Sequence, residues 1–159
     1  MNILAFISAN KRWLGAGFLL TFFSSYGQTF FISLSGGALR ETFDLSNGEF
    51  GTLYMAGTLA SAATMIFLGK MVDHMSPKKI AAIVILALML TALAMSFTQS
   101  VLMLVVVIFG LRFLGQGMLS HIAMTVIARW FVASRGRAIS LSALGHQAGE
   151  AILPAIVLA

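Results

Sequence analysis

Long apolar runs separated by short polar stretches set the pattern of this chain. Five runs approach the roughly 20 apolar residues that a helix needs to cross a bilayer: 13–34, 50–68, 80–97, 101–126 and 138–159. The third, IAAIVILALMLTALAMSF, is apolar on every face and predicts a peripheral helix against lipid. On the first, Thr21, Ser24, Gln28 and Ser35 recur at spacings of three, four and seven, a one-sided polar stripe that predicts a helix lining a wet cavity. On the second, Gly57 and Ser61 stand at small-xxx-small spacing and read as a helix-packing face. The pattern predicts an all-α integral membrane bundle.

Charge falls at the breaks between runs, and on alternate breaks. Lys11 and Arg12 precede the first run, Lys70, Lys78 and Lys79 join the second to the third, and Arg129, Arg135 and Arg137 join the fourth to the fifth. Those three stretches share one side of a five-span topology and hold eight of the ten basic residues. The opposite connections carry Arg40 beside Glu41, Asp44 and Glu49. Basic residues collect on the cytoplasmic side, so the expected protein is a multi-pass inner-membrane one with a cytoplasmic amino terminus. Trp13 and Trp130 fall at the expected interfaces as belt residues, and His121 reads as a cap near the inner end of the fourth run.

Composition sharpens this. With 59% hydrophobic and 9% charged residues and a mean hydropathy of +0.96, the chain has more apolar surface than a soluble domain could hide. The net charge of +5 therefore belongs to membrane topology and not to nucleic-acid binding. Cysteine is absent, which excludes disulfides, thiolate zinc sites and thiol catalysis. FLGKM is no phosphate loop, since Thr64 stands where Gly is needed and Met71 follows Lys70. No metal-ligand cluster, nucleophile elbow or paired-carboxylate spacing occurs, so neither an enzyme nor a cofactor or metal is expected. The last run ends in AIVLA without a polar flank, which reads as the amino-terminal part of something longer.

Two charges interrupt the apolar runs. Arg112 lies eleven residues into the fourth run and Glu150 twelve residues into the fifth. At 1.5 Å per residue that is ~17 Å and ~18 Å, near the middle of a core about 30 Å thick. Arg112, Gln116 and Ser120 form an i, i+4, i+8 stripe, as do Ser142, His146 and Glu150. Antiparallel neighbours would bring 112 to 150, 116 to 146 and 120 to 142. Two readings stand: an inert ion pair tying two helices together, or a site at a cavity wall. In the second, Arg112 attracts an anion or keeps Glu150 ionised, Glu150 takes up a proton, and His146 relays it. Tyr26 and Gln28 on the first run are further lining candidates, against a role in interhelical hydrogen bonding.

The loop GKMVDHMSPKK contains a carboxylate that topology does not explain. Asp73 lies near a helix C-terminus, where the macrodipole disfavours negative charge. The stretch resembles the signature loop of the major facilitator superfamily, Gly-x-x-x-Asp-Arg-x-Gly-Arg-Lys between its second and third helices. Gly69, Asp73, Pro77 and Lys78 match; His74 replaces the usual Arg and Ser76 the usual Gly. GLRFLGQGMLSH resembles the family's fourth helix, with Arg112, Gly115 and Gly117 in loose correspondence, and ARWFVASRGRA is similar to the 4–5 loop of its organic-anion and monocarboxylate branch. The fifth run lacks the Gly-Pro of drug/proton antiporters.

The resemblance implies the first five helices of a six-helix amino-terminal half, with the carboxy-terminal half lying outside these residues. It implies secondary transport of a small organic anion by alternating access, driven by a proton gradient. Efflux of amphipathic compounds, or a non-transporting membrane scaffold, are the alternatives. It also implies that Asp73 belongs to a charge latch, with its basic partner open among Lys70, Lys78, Lys79 and Arg135.

Overall fold

A computed structural model describes residues 2–157, and every regular element among them is helical. The elements are α1 (Ile3–Ser24), a 3-10 turn (Ser25–Gly27), α2 (Thr29–Leu34), α3 (Gly36–Thr42), α4 (Asn47–Leu68), α5 (Met71–His74) and α6 (Pro77–Ser96). Then follow α7 (Val101–Gly110), a π-helical segment (Leu111–Leu119), α8 (Ser120–Trp130), a second 3-10 turn (Val132–Ser134) and α9 (Arg135–Val157). Among the described residues three helices are long and apolar enough to cross a membrane: Asn47–His74, Pro77–Ser96 and Val101–Trp130. The helices α1 and α9 have 22 and 23 residues, but Asn10, Lys11 and Arg12 in one and Arg135, Arg137, His146 and Glu150 in the other dilute their apolar character. Leu158 and Ala159, the end of the fifth expected run, lie outside the described residues.

The first helix differs from the expected 13–34 in two ways. It starts ten residues earlier, with the Asn2 side chain accepting from the Leu4 N–H, and bends at Asn10, whose φ of −122° and ψ of 17° are not helical. It also stops at Ser24, and Gln28 adopts an extended ψ of 155° before α2 begins. Ser24, Ser25 and Gly27 are weak helix formers. A Cβ on Gly27 would lie 2.1 Å from the Leu111 carbonyl oxygen and 2.5 Å from the Gln116 nitrogen, so only glycine permits this crossing.

Neighbouring helices are identified by how their contact numbers run. Gly57 packs on Ile108, Gly117 on Met65, and His121 reaches Gly69, so α4 lies parallel to the α7–α8 helix. Gly17 packs on Ser142, Thr21 on Gly145 and Ser25 on Gly149, so α1 lies parallel to α9. Trp13 stacks with Trp130 at 3.9 Å and Gly27 meets Gly115, so α1 crosses the α7–α8 helix antiparallel. Lipid is as apolar as leucine, so close backbone approach at small residues replaces the hydrophobic effect as the association force. Gly57 and Ser61 are the buried residues of α4, in agreement with the packing face expected there.

The helix α6 buries one stripe, Ile80, Val84 and Leu88, against Val107, Leu111, Met118 and Ile122, and exposes Ile83, Leu86, Met89, Leu90 and Leu93. It is peripheral, as its all-round apolarity predicts. A smaller core at the other end of α1 joins Phe6, Leu14, Ile127, Phe131 and Ala138.

Candidate functional site

The break in the first helix, the middle of α4 and the π-helical segment meet around Arg112. Its Nη1 donates to the Gly27 carbonyl at 3.2 Å and to Thr29 Oγ1 at 3.3 Å. Tyr54 O–H donates to the same Thr29 oxygen at 2.9 Å, and the guanidinium carbon stands 5.5 Å from the centre of the Tyr54 ring. The Gly27 carbonyl is open to Arg112 because the chain leaves helical geometry at Gln28. Arg112 thus donates to a carbonyl beside the helix break. Its Nε is buried without a partner, as are Gln116 Oε1 and Ser120 Oγ on the same helix. π-Helical turns often mark functional sites, and this one carries Arg112 and Gln116.

The expected Arg112–Glu150 pair is not formed. Among the described residues one ion pair occurs, Arg129 with Asp73, and Glu150 is exposed on α9. The reason is the end of α1 and the 3-10 turn after it, which lie between the two helices at this level with Gly27 on Gly115 and Ser25 on Gly149. Matching those contacts sets Arg112 about four residues, or ~6 Å, further along the bundle than Glu150. His146 Nδ1 lies 3.2 Å from Ser24 Oγ, and Ser24 Oγ donates to the Thr21 carbonyl at 2.7 Å.

Other expected residues divide similarly. Gln28 forms the extended link beside Arg112 and is half-buried. Tyr26 turns to the other side, stacked on Phe23 at 6.4 Å and edge-on to Phe31 at 4.7 Å, where it lines an apolar cavity of about 680 Å³ with Leu88 and Leu111. Tyr54 and Thr29, which sequence reasoning passed over, are the groups beside the cation. Thr21 and Ser24 are fully buried against α9 and line no wet cavity: Thr21 Oγ1 donates to the Ser142 carbonyl at 2.6 Å. His121 caps no helix end of its own. It stands in the α7–α8 helix with Nε2 3.2 Å from the Gly69 carbonyl, where α4 ends.

At the opposite end of the bundle the signature loop takes its shape. Gly69 closes α4, Pro77 opens α6, where its missing N–H costs nothing, and Lys78 follows it exposed. The basic partner of Asp73 is Arg129, in the last turn of α8, and none of Lys70, Lys78, Lys79 or Arg135. Arg129 Nη1 also reaches the Val72 carbonyl at 3.5 Å. Parallel packing of α4 with the α7–α8 helix brings their ends to one level. A cation three residues past the end of the fourth run was the signal for this pair.

Comparison with known proteins agrees with this architecture. The sequence profile of the Major Facilitator Superfamily matches residues 17–159, and the chain belongs to that family. A probable sulfoacetate transporter of Cupriavidus necator, SauU, is 31% identical over 140 residues, covering 87% of this chain and 32% of that protein. The chain thus spans about a third of the length of the curated relative it matches. No solved structure matches it.

Proposed function

We propose that these residues are the amino-terminal part of a longer secondary transporter that carries a small organic anion by alternating access, coupled to protons. The observation that supports this most is the state of Arg112. It lies within the apolar helix Val101–Trp130, held by a carbonyl, a hydroxyl and an aromatic face, with no carboxylate paired to it among the described residues. A central arginine costs roughly 2.5–3.5 kcal/mol on insertion scales, so it normally serves a partner or a water-filled path. A guanidinium with only neutral partners is suited to a carboxylate or sulfonate, whose two oxygens match its planar fork. The relative named for sulfoacetate points to the same class, a short anion bearing both groups.

Glu150 and His146, one turn apart on α9, are the proposed proton-coupling residues. Glu150 is the only carboxylate well inside the expected spans, and Pro154 lacks the N–H that would satisfy the Glu150 carbonyl, which loosens that turn. The distribution of Lys and Arg supports an inner-membrane location with the amino terminus and the Asp73–Arg129 end cytoplasmic. The partners of the chain in this reading are the bilayer, the anion, the proton and the carboxy-terminal half.

The test is uptake of radiolabelled sulfoacetate and of short carboxylates by proteoliposomes of the full-length protein under an imposed inward proton gradient. Parent protein is expected to accumulate at least one of them. Arg112→Ala should abolish uptake, and Glu150→Gln should abolish its dependence on the gradient while expression persists. Normal gradient-driven uptake in both variants contradicts the proposal.

A further inference from the structure

We infer that Thr29 and Tyr54 are positioning residues of the Arg112 site: they hold the guanidinium in a closed arrangement from which an entering anion must release it. The inference rests on the anion reading above and adds a competition to it. Thr29 lies just after the helix break and Tyr54 on α4, 25 residues apart in sequence, and one hydroxyl oxygen of Thr29 receives hydrogen bonds from both Tyr54 and Arg112. The three contacts tie α2, α4 and the π-helical segment together at the far end of the bundle from the Asp73–Arg129 pair.

This arrangement is only partly satisfied. Arg112 Nη1 divides itself between two neutral acceptors at 3.2 and 3.3 Å, both beyond the usual length of a charge-assisted bond. The buried Nε has no acceptor, and an unsatisfied buried donor on a charged group is destabilising. An oxyanion offers stronger acceptors to Nη1 and reaches Nε once the guanidinium turns out. It gains them only by giving up Thr29 and the Gly27 carbonyl. A ligand shifts an equilibrium by its differential affinity for the two states, and here that difference lies in which acceptors Arg112 uses. Tyr54 acts in two separable ways, its ring facing the cation and its hydroxyl holding Thr29.

Removing the Thr29 oxygen should therefore free Arg112 for the anion while weakening the closure. In the full-length protein, Thr29→Val is expected to lower the KM for sulfoacetate uptake about tenfold, the effect of one hydrogen bond to a charge, and to lower Vmax. Tyr54→Phe, which keeps the ring, shifts both in the same direction by less. Thr29→Ser restores parental values, which a merely structural role of the Thr methyl would not allow. A second readout needs no transport: Gln28→Cys, in a background otherwise free of cysteine, should react with a maleimide several-fold faster when combined with Thr29→Val or Tyr54→Phe. Parental KM and parental labelling in both variants would overturn the inference. If the parent carries no anion at all, the transport reading falls, and the labelling rates still decide whether this closure exists.

Discussion

A single glycine shows how tightly the site depends on local sequence. Gly27 lies in the break of the first helix, and a Cβ there would meet three backbone atoms of the π-helical segment, the nearest at 2.1 Å. Backbone cannot rotate away, so the helices must separate. We expect Gly27→Ala to cost about 1–3 kcal/mol, the usual range for overpacking, read as a fall in thermal midpoint of the detergent-solubilised protein. Gly15→Ala, with nothing within 4 Å of the added carbon, should leave the midpoint unchanged. Some residues announced themselves in the sequence. Asp73 was anomalous at a helix C-terminus, and Arg112 was anomalous in an apolar run. Their partners did not, because Arg129 is 56 residues from Asp73 and Thr29 is 83 from Arg112, and both pairings exist only once helices are packed. The exposed Asp73–Arg129 pair adds little to stability.

At the level of elements, apolar periodicity was sufficient to locate helices and insufficient to order them. Matching Arg112 with Glu150 assumes that the fourth and fifth spans stay together along their whole length, whereas α9 packs on α8 and not on the π-helical segment that carries Arg112. The better signal was the small-residue stripes: Gly17, Thr21 and Ser24 on α1 with Ser25 just after it, and Ser142, Gly145 and Gly149 on α9, which interlock at Cβ-scale distances. The same distances explain why the polar stripe on α1 packs dry. Small hydroxyl residues serve close approach as readily as they serve water, and sequence alone does not separate the two. Because the chain has no native cysteine, paired substitutions can test the order directly in membranes. Ser24→Cys with His146→Cys should form a disulfide on mild oxidation, since those two side chains already meet between α1 and α9 at 3.2 Å. Arg112→Cys with Glu150→Cys should not, with α1 between them. The reverse outcome would mean that α9 faces the π-helical segment at the level of Arg112.

Taken as a whole, the bundle has two ends that are held together differently. One end is held by Asp73 and Arg129 and by His121 on the terminal carbonyl of α4. The other is held by Arg112, Thr29 and Tyr54 around a broken helix. Membership of the Major Facilitator Superfamily was legible in the loop from Gly69 to Lys79, and the family match over residues 17–159 bears it out. The proposed anion site was legible only as far as Arg112 itself, since its neighbours come from a helix break and a π-helical segment that no apolar pattern encodes. The central claim is that Arg112 is an anion-binding group and not a structural cation. Equilibrium binding of radiolabelled sulfoacetate to the purified full-length protein tests it most directly. The account predicts saturable binding that weakens at least tenfold in Arg112→Ala, the loss expected for a charge-assisted contact, and is unchanged in Arg40→Ala. Equal affinity in the parent and in Arg112→Ala would contradict it.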